Sequence, residues 1–224
     1  MIKSLIKLQN RISLIFFIGF TFNFFPVFGQ HFKNTVSIFN KNSLEGWKVH
    51  PSEHQDLWKV ENGIIVGGDG VQKIEENNYL YTEEIYGDFE FRCLFRLTGD
   101  ASTGLINSGI QYRSNIINNN MVGYQADIGT GYWGDIYDEH RRGKLVGGDL
   151  ETLKHVLSEN GWNSYTIRCK GDFHEIFING VKTGEYEEKY PDIPKKGLIA
   201  IQLHSGGNAK IEFRDLTITT LSEH

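Results

Sequence analysis

Residues 87–98, GDFEFRCLFRLT, constrain the fold more than any other stretch of the chain. Phe89, Phe91, Cys93, Phe95 and Leu97 share one alternation face, Glu90, Arg92 and Arg96 the other, and only Leu94 is out of step. A period of two marks a strand buried on one side; a helix would scatter those rings around its circumference. Such a strand needs neighbours, and its sheet needs a second layer to cover the apolar face. Strand-like runs recur at 36–39, 57–60, 64–66, 79–82, 106–113, 162–170, 173–179, 181–186, 198–203 and 211–221, and another begins at 122. Asn62-Gly63 and Asn179-Gly180 stand where hairpins should turn. Residues 150–157 alone read as a helix, and a short one. The pattern predicts an all-β sandwich with at most one short helix, forming one domain over residues 30–224.

The first 29 residues are of another kind. Lys3, Lys7 and Arg11 precede an apolar run that carries Asn23 and Pro26, and Val27-Phe28-Gly29 places small or β-branched residues before Gln30. Those three regions predict a secretory signal peptide, hence a periplasmic or secreted protein. The run is short for a retained membrane anchor, and no Cys adjoins the cleavage point as in a lipoprotein. Removing it takes away three positive charges and no acid, so the formal charge moves from −5 to −8. An acidic chain without a basic run is a poor partner for nucleic acid or anionic membrane. Cys93 and Cys169 each fall on an inward strand face, which favours buried thiols; export leaves a disulfide open.

Residues 122–143, VGYQADIGTGYWGDIYDEHRRG, concentrate what chemistry the chain offers. Tyr124, Tyr132, Trp133 and Tyr137 stand among acids, guanidinium groups and the amide of Gln125. Rings stack on the C–H faces of a sugar while charged and amide groups take its hydroxyls in pairs. The stretch predicts a carbohydrate site. Its plainer reading is an aromatic hairpin with a solvated charged tip.

Several short motifs recur in a familiar order. Phe39-Asn40 with Leu44-Glu45-Gly46-Trp47, Trp58-Lys59-Val60-Glu61-Asn62-Gly63 and Tyr86-Gly87-Asp88-Phe89-Glu90 are followed by Asn107-Ser108-Gly109-Ile110 and Gly123-Tyr124-Gln125. Gly161-Trp162-Asn163, Ile178-Asn179-Gly180 and residues 199–204, IAIQLH, complete the set. The ordered set resembles the 3-keto-disaccharide hydrolase family over nearly all of residues 30–224. The resemblance implies a concanavalin A-like jelly roll of two antiparallel sheets. It also implies an exported bacterial enzyme that cleaves glycosides oxidised at C3. Many relatives have Glu after Gly-Tyr; here Gln125 stands, and an amide is no base, so acid–base work falls to other residues.

A C3 ketone acidifies the C2 proton, and the resulting enolate can expel the C1 substituent. That route needs a base near C2, a donor at the C3 oxygen and an acid at the leaving oxygen. Asp127, on the same strand face as Gln125, is the first candidate for base or ligand; Glu139 and His140 are candidates for a second acid–base pair. Arg113 is expected to hold a hydroxyl or the enolate oxygen, or else to pair with Asp127 or Asp138. Arg141 and Asp138 are candidate hydroxyl ligands. Tyr124, Trp133 and Tyr137 are candidate sugar platforms, whereas Trp47, Trp58 and Trp162 read as core. Gln202 and His204 share a strand face at the rim of a sheet. No cofactor motif occurs, although Asp127, Asp138, Glu139 and His204 could assemble an oxygen-rich site for Ca²⁺ or a similar ion. Two alternatives stay open: a lectin-like sandwich that binds without turnover, and a hydrolase of unoxidised glycans, which needs two carboxylates across a cleft. Gly67-Gly68-Asp69-Gly70 follows a strand but no helix follows it, so it is a turn and not a phosphate loop.

Overall fold

A computed structural model describes residues 35–221. The predicted signal peptide, and with it the expected export, lies outside those residues. The strands run β1 (Thr35–Ser37), β2 (Trp47–His50), β3 (Trp58–Glu61), β4 (Ile64–Gly67), β5 (Asn78–Thr82), β6 (Phe89–Asp100) and β7 (Asn107–Ile117). They continue as β8 (Asn120–Gly129), β9 (Ile136–Glu139), β10 (Gly143–Val146), β11 (Asn163–Lys170), β12 (Phe173–Ile178), β13 (Val181–Glu187), β14 (Leu198–Leu203) and β15 (Asn208–Thr220). One sheet has eight strands in the order β13-β12-β11-β6-β15-β4-β3, with β1 pairing on β15; the other has seven, β10-β9-β8-β7-β14-β5-β2. All recorded pairings are antiparallel, as the jelly-roll expectation requires.

The period-two strand lies inside the larger sheet, between β11 and β15, and its apolar face is fully covered. Phe89, Phe91, Phe95 and Leu97 meet Ile110, Tyr112, Tyr124, Ala126, Ile128 and Ile201 of the smaller sheet in one core. Each ring so buried stabilises the sandwich by about 2–3 kcal/mol. On the opposite face Glu90 accepts from Arg92 and Arg168, which lets a carboxylate sit there at 2% exposure. Both Asn-Gly pairs turn as read, with positive φ at Asn62, Gly63, Asn179 and Gly180.

Two local expectations are corrected, and the reading of the cysteines as buried thiols holds. The helix is shorter than 150–157: α1 spans Leu150–Leu153 and ends in turns, with the Asp149 carboxylate capping Thr152 N–H. Short 3₁₀ segments at Ser52–Leu57 and Ala101–Thr103 add to it. Trp162 is not core: it lies half-buried between the guanidinium groups of Arg96 and Arg214, 5.0 and 4.4 Å from its ring. Cys93 and Cys169 are buried free thiols; they face Tyr165 and Phe89 on adjacent strands, so they stand four positions apart in register. That is about 13 Å, beyond the reach of a disulfide.

Candidate functional site

The site is the outer face of the seven-stranded sheet, the face turned away from the core. Register fixes its composition. Asp127 on β8 is opposite Gly109 on β7, Gly109 is opposite Gln202 on β14, Gln202 opposite Tyr79 on β5, and Tyr79 opposite His50 on β2. The next row carries Tyr137 on β9, Gln125, Gln111 and Ala200. Glu139 pairs with Gly123 one step beyond. Because side chains alternate, all of these project to the same side.

A relay of amides links them. Ser114 Oγ donates to Gln111 Oε1 (2.7 Å), Gln111 Nε2 to Gln125 Oε1 (3.0 Å), and Gln125 Nε2 to both Asp127 Oδ1 (2.7 Å) and Glu139 Oε1 (3.5 Å). One amide thus bridges two carboxyl groups. Burial, and then the charge of Glu139 and Asp135, push the Asp127 carboxyl up to about 8, against the pull of the Gln125 hydrogen bond. Burial also raises Glu139, which His140 and His204 pull back toward its ionised form. Two acids of different environment sharing one donor are equipped for separate acid and base roles.

Around this pair lie three further groups. Lys144 pairs with Asp135 at 2.6 Å and lies over the half-buried rings of Tyr132 and Tyr137, 5.5 and 5.6 Å from their centres. His140 ends β9 in a positive-φ turn and borders a cavity of about 400 Å³ together with His50, Tyr79 and Met121. The β7–β8 hairpin is the third. Its tip accepts, at Asn119 O, from His50 Nε2 at 3.1 Å, although β14 and β5 separate β7 from β2. Asn119 lies well beyond the row of Gly109, so the hairpin must fold back across the sheet to reach His50 in that row. Met121, fully buried, packs on Tyr79 and Ala200 beneath it. The fold starts at a bulge: pairing shifts between Tyr112 and Asn115, and Arg113 has φ +48.

Gln125, Asp127, Tyr137, Glu139 and Gln202 share this face, with His140 and His204 close to Glu139; alternation in the sequence joined only Gln125 with Asp127 and Gln202 with His204. Six other assignments do not hold. Arg113 is turned off the face by its positive φ and donates to Gly87 O, Gly171 O and Asp88 Oδ1 at 1% exposure, pairing with neither Asp127 nor Asp138. Tyr124 points inward, 1% exposed, stacked on Tyr112 with its hydroxyl on Glu188, and cannot meet a sugar. Trp133 packs on Phe95, 6.1 Å between rings, and supports the core. Asp138 alternates inward and is held by Arg141 and Arg142. Arg141 donates from Nε to that carboxylate and lies over the face of Tyr124, 5.3 Å from its centre, while its Nη2 is buried without a partner. The four-residue metal set accordingly fails, since Asp138 is on the wrong side of β9. Among the described residues no group of three or more His, Cys, Asp or Glu is placed to hold an ion.

Gln111, Tyr79, His50, Met121 and Lys144 lie on or beside this face and escaped the sequence reading. Their signal is positional: counting outward from the Asn118-Asn119 turn pairs 115 with 122 and would pair 111 with 126. The extra residue at the bulge makes it Gln111 with Gln125 instead.

The fold is a two-sheet antiparallel jelly-roll sandwich that carries amide-bridged acids on one outer face. Residues 34–219 match the model of the 3-keto-alpha-glucoside-1,2-lyase-like domain, and the chain belongs to that family. No curated protein matches it closely enough to count as a relative. Among solved structures it is similar to a glycosyl hydrolase candidate from Parabacteroides distasonis ATCC 8503, at 20% identity and TM-score 0.61, covering 84% of this chain and 95% of that one. It is similar also to the carbohydrate-binding module CBM66 of Bacillus subtilis, at 12% identity, TM-score 0.59, and 81% and 99% coverage. The lumenal domain of VIP36, solved with Ca²⁺ and Man3GlcNAc, aligns at 8% identity and TM-score 0.59 over 85% and 90%. At these identities the three share its fold.

Proposed function

We propose that this protein binds a carbohydrate on the outer face of its seven-stranded sheet and cleaves glycosides bearing a C3 ketone, by removing the C2 proton and expelling the C1 substituent. The single observation that carries the reading is the pairing of buried Asp127 with half-buried Glu139 through the Gln125 amide, in a chain of this family. Glu139, whose carboxyl is raised by burial against the opposing pull of His140 and His204, takes the proton from C2 in its ionised form. Asp127, protonated at neutral pH, donates to the leaving oxygen. Water adding at C1 completes a net hydrolysis. Tyr137, Tyr132 and Lys144 form the rim on which the sugar stacks. The carbohydrate neighbours support the class of ligand, and the composition supports no nucleic-acid or membrane partner. An N-terminal signal peptide would place the mature chain in the periplasm or outside the cell; N-terminal sequencing of exported protein reads this directly.

The test is leaving-group release from a 3-keto-aryl-glucoside or 3-keto-trehalose, with the unoxidised glycoside as control. The reading expects release from the ketone alone. Saturable binding without release would instead support a glycan-binding module, and release from the unoxidised glycoside an ordinary hydrolase. No step above is routed through a metal, whose proposed ligand set does not assemble; EDTA and added Ca²⁺ or Mn²⁺ arms report on it in the same assay.

A further inference from the structure

Elimination through C2 needs a donor at the C3 oxygen, and neither Asp127 nor Glu139 can fill that part while serving C1 and C2. The nearby guanidinium groups are committed elsewhere. Arg113 donates to Gly87, Gly171 and Asp88, Arg141 to Asp138, and Arg142 to Asp138 and Glu188. Lys144 on β10 is differently placed. It stands opposite Tyr137 in the row that continues to Gln125 and Gln111, so its side chain projects from the same face. That side chain is 44% exposed, and its charge is felt at Asp127.

Asp135, Tyr137 and Glu139 follow one another at every second residue, about 7 Å apart along the chain, and so share that face. Asp135 stands beside Asp127, whose backbone N–H its carbonyl accepts at 3.0 Å. Asp127, Glu139 and Lys144 thus surround the half-buried Tyr137. Both acids reach the same Gln125 Nε2, at 2.7 and 3.5 Å, so their carboxyl groups converge. Asp127 Oδ1 takes that bond, and no donor among the described residues meets its Oδ2. Lys144 Nζ is held 2.6 Å from Asp135 Oδ2, with the rings of Tyr132 and Tyr137 below it. Asp135 is 2% exposed, and no aligned hydrogen bond meets its Oδ2 despite that contact. An ammonium carries three N–H donors, of which this contact occupies at most one. The Asp135 carboxylate raises Lys144 above its usual range, so it stays charged through neutral pH.

Resting on the function proposed above, we infer that Lys144 is a further catalytic residue, whose ammonium donates a hydrogen bond to the C3 oxygen while Glu139 takes the C2 proton. The C2–H electron pair becomes the C2=C3 bond, and the carbonyl pair moves onto the C3 oxygen against the ammonium. The C3 carbonyl then re-forms, C1=C2 forms, the C1–O bond breaks, and Asp127 protonates the departing oxygen. Water adds across C1=C2, giving hydroxyl to C1 and its proton to Asp127, while Glu139 returns a proton to C2. Lys144 keeps its own proton throughout. Asp135 is a positioning residue that anchors the ammonium beside Tyr137.

The experiment is Lys144→Met assayed on the 3-keto-aryl-glucoside, for leaving-group release and for hydrogen exchange at C2 in D₂O. Loss of the charged donor predicts a fall of about 10²-fold in kcat, KM within about threefold, and C2 exchange slowed in parallel. The charge of Lys144 lowers Asp127, so removing it leaves that acid protonated and the fall is not a lost leaving-group proton. An unchanged kcat, or a loss confined to KM, overturns the assignment. Lys144→Met also leaves Asp135 buried without its counter-charge, so the double variant Asp135→Asn/Lys144→Met removes that carboxylate too. It should be as slow as Lys144→Met; recovery of wild-type kcat would mark a purely structural ion pair and overturn the assignment. A wild type that exchanges C2 hydrogen without releasing the leaving group defeats the cleavage proposed above and not this donor. Lys144→Met should then slow exchange about 10²-fold, and equal exchange overturns it. A wild type that does neither overturns both readings.

Discussion

The carboxyl of Asp127 is 4% exposed and held at about 8, whereas an unfolded chain titrates it near 3.9. Between those values the folded state binds more protons than the unfolded one, so its contribution to stability is present at low pH and is lost as pH rises toward 8. Glu139, also raised, acts in the same sense. Urea unfolding at pH 5 and pH 8 should show a fall of a few kcal/mol for the wild type and a smaller one for Asp127→Asn. An equal fall in both would show that the carboxyl is not perturbed. In turnover the same variant should lose at least about 10²-fold in kcat, since an amide cannot supply the leaving-group proton. Arg113 gives the converse case. Its three hydrogen bonds tie β7 to Gly87, Asp88 and Gly171, so Arg113→Ala should cost about 3 kcal/mol in stability and leave kcat of the folded fraction intact. A loss of kcat without loss of stability would put that guanidinium back among the substrate ligands.

At the scale of elements, the β7–β8 hairpin decides the form of the site. Its bend needs Gly123, at φ +155, where an added Cβ would come within 2.2 Å of Ser114 Oγ. Gly123→Ala should therefore displace Ser114 and break the Ser114–Gln111–Gln125 relay. It should destabilise the protein by about 1–3 kcal/mol and raise amide exchange across residues 115–122. Unchanged exchange there would mean that the bend does not depend on the glycine. This element was only half legible. Alternation correctly placed Gln125 with Asp127, and Gln202 with His204. By the same rule Tyr124 points to the core, a consequence its aromatic character obscured. A bulge with a non-glycine residue at positive φ has no composition signal, so neither the inward turn of Arg113 nor the pairing of Gln111 with Gln125 could be counted from the sequence.

For the whole molecule, periodicity carried most of the architecture. The run at 87–98 became an interior strand with its predicted faces, and both Asn-Gly turns became hairpins, because one-sided burial imposes period two and tight hairpins impose positive φ. What links distant strands was not legible: nothing local in the chain says that β14 lies between β7 and β5, and that order is what puts Tyr79 and Gln202 in the register row of Asp127. The central claim concerns the reaction at that assembled face. Its most direct measurement follows a 3-keto-glycoside in D₂O by NMR with the purified protein. The account predicts leaving-group release with deuterium at C2, both abolished in Glu139→Gln. Release that leaves C2 fully protonated would contradict elimination through C2, and no release with intact C2 would contradict the enzyme altogether.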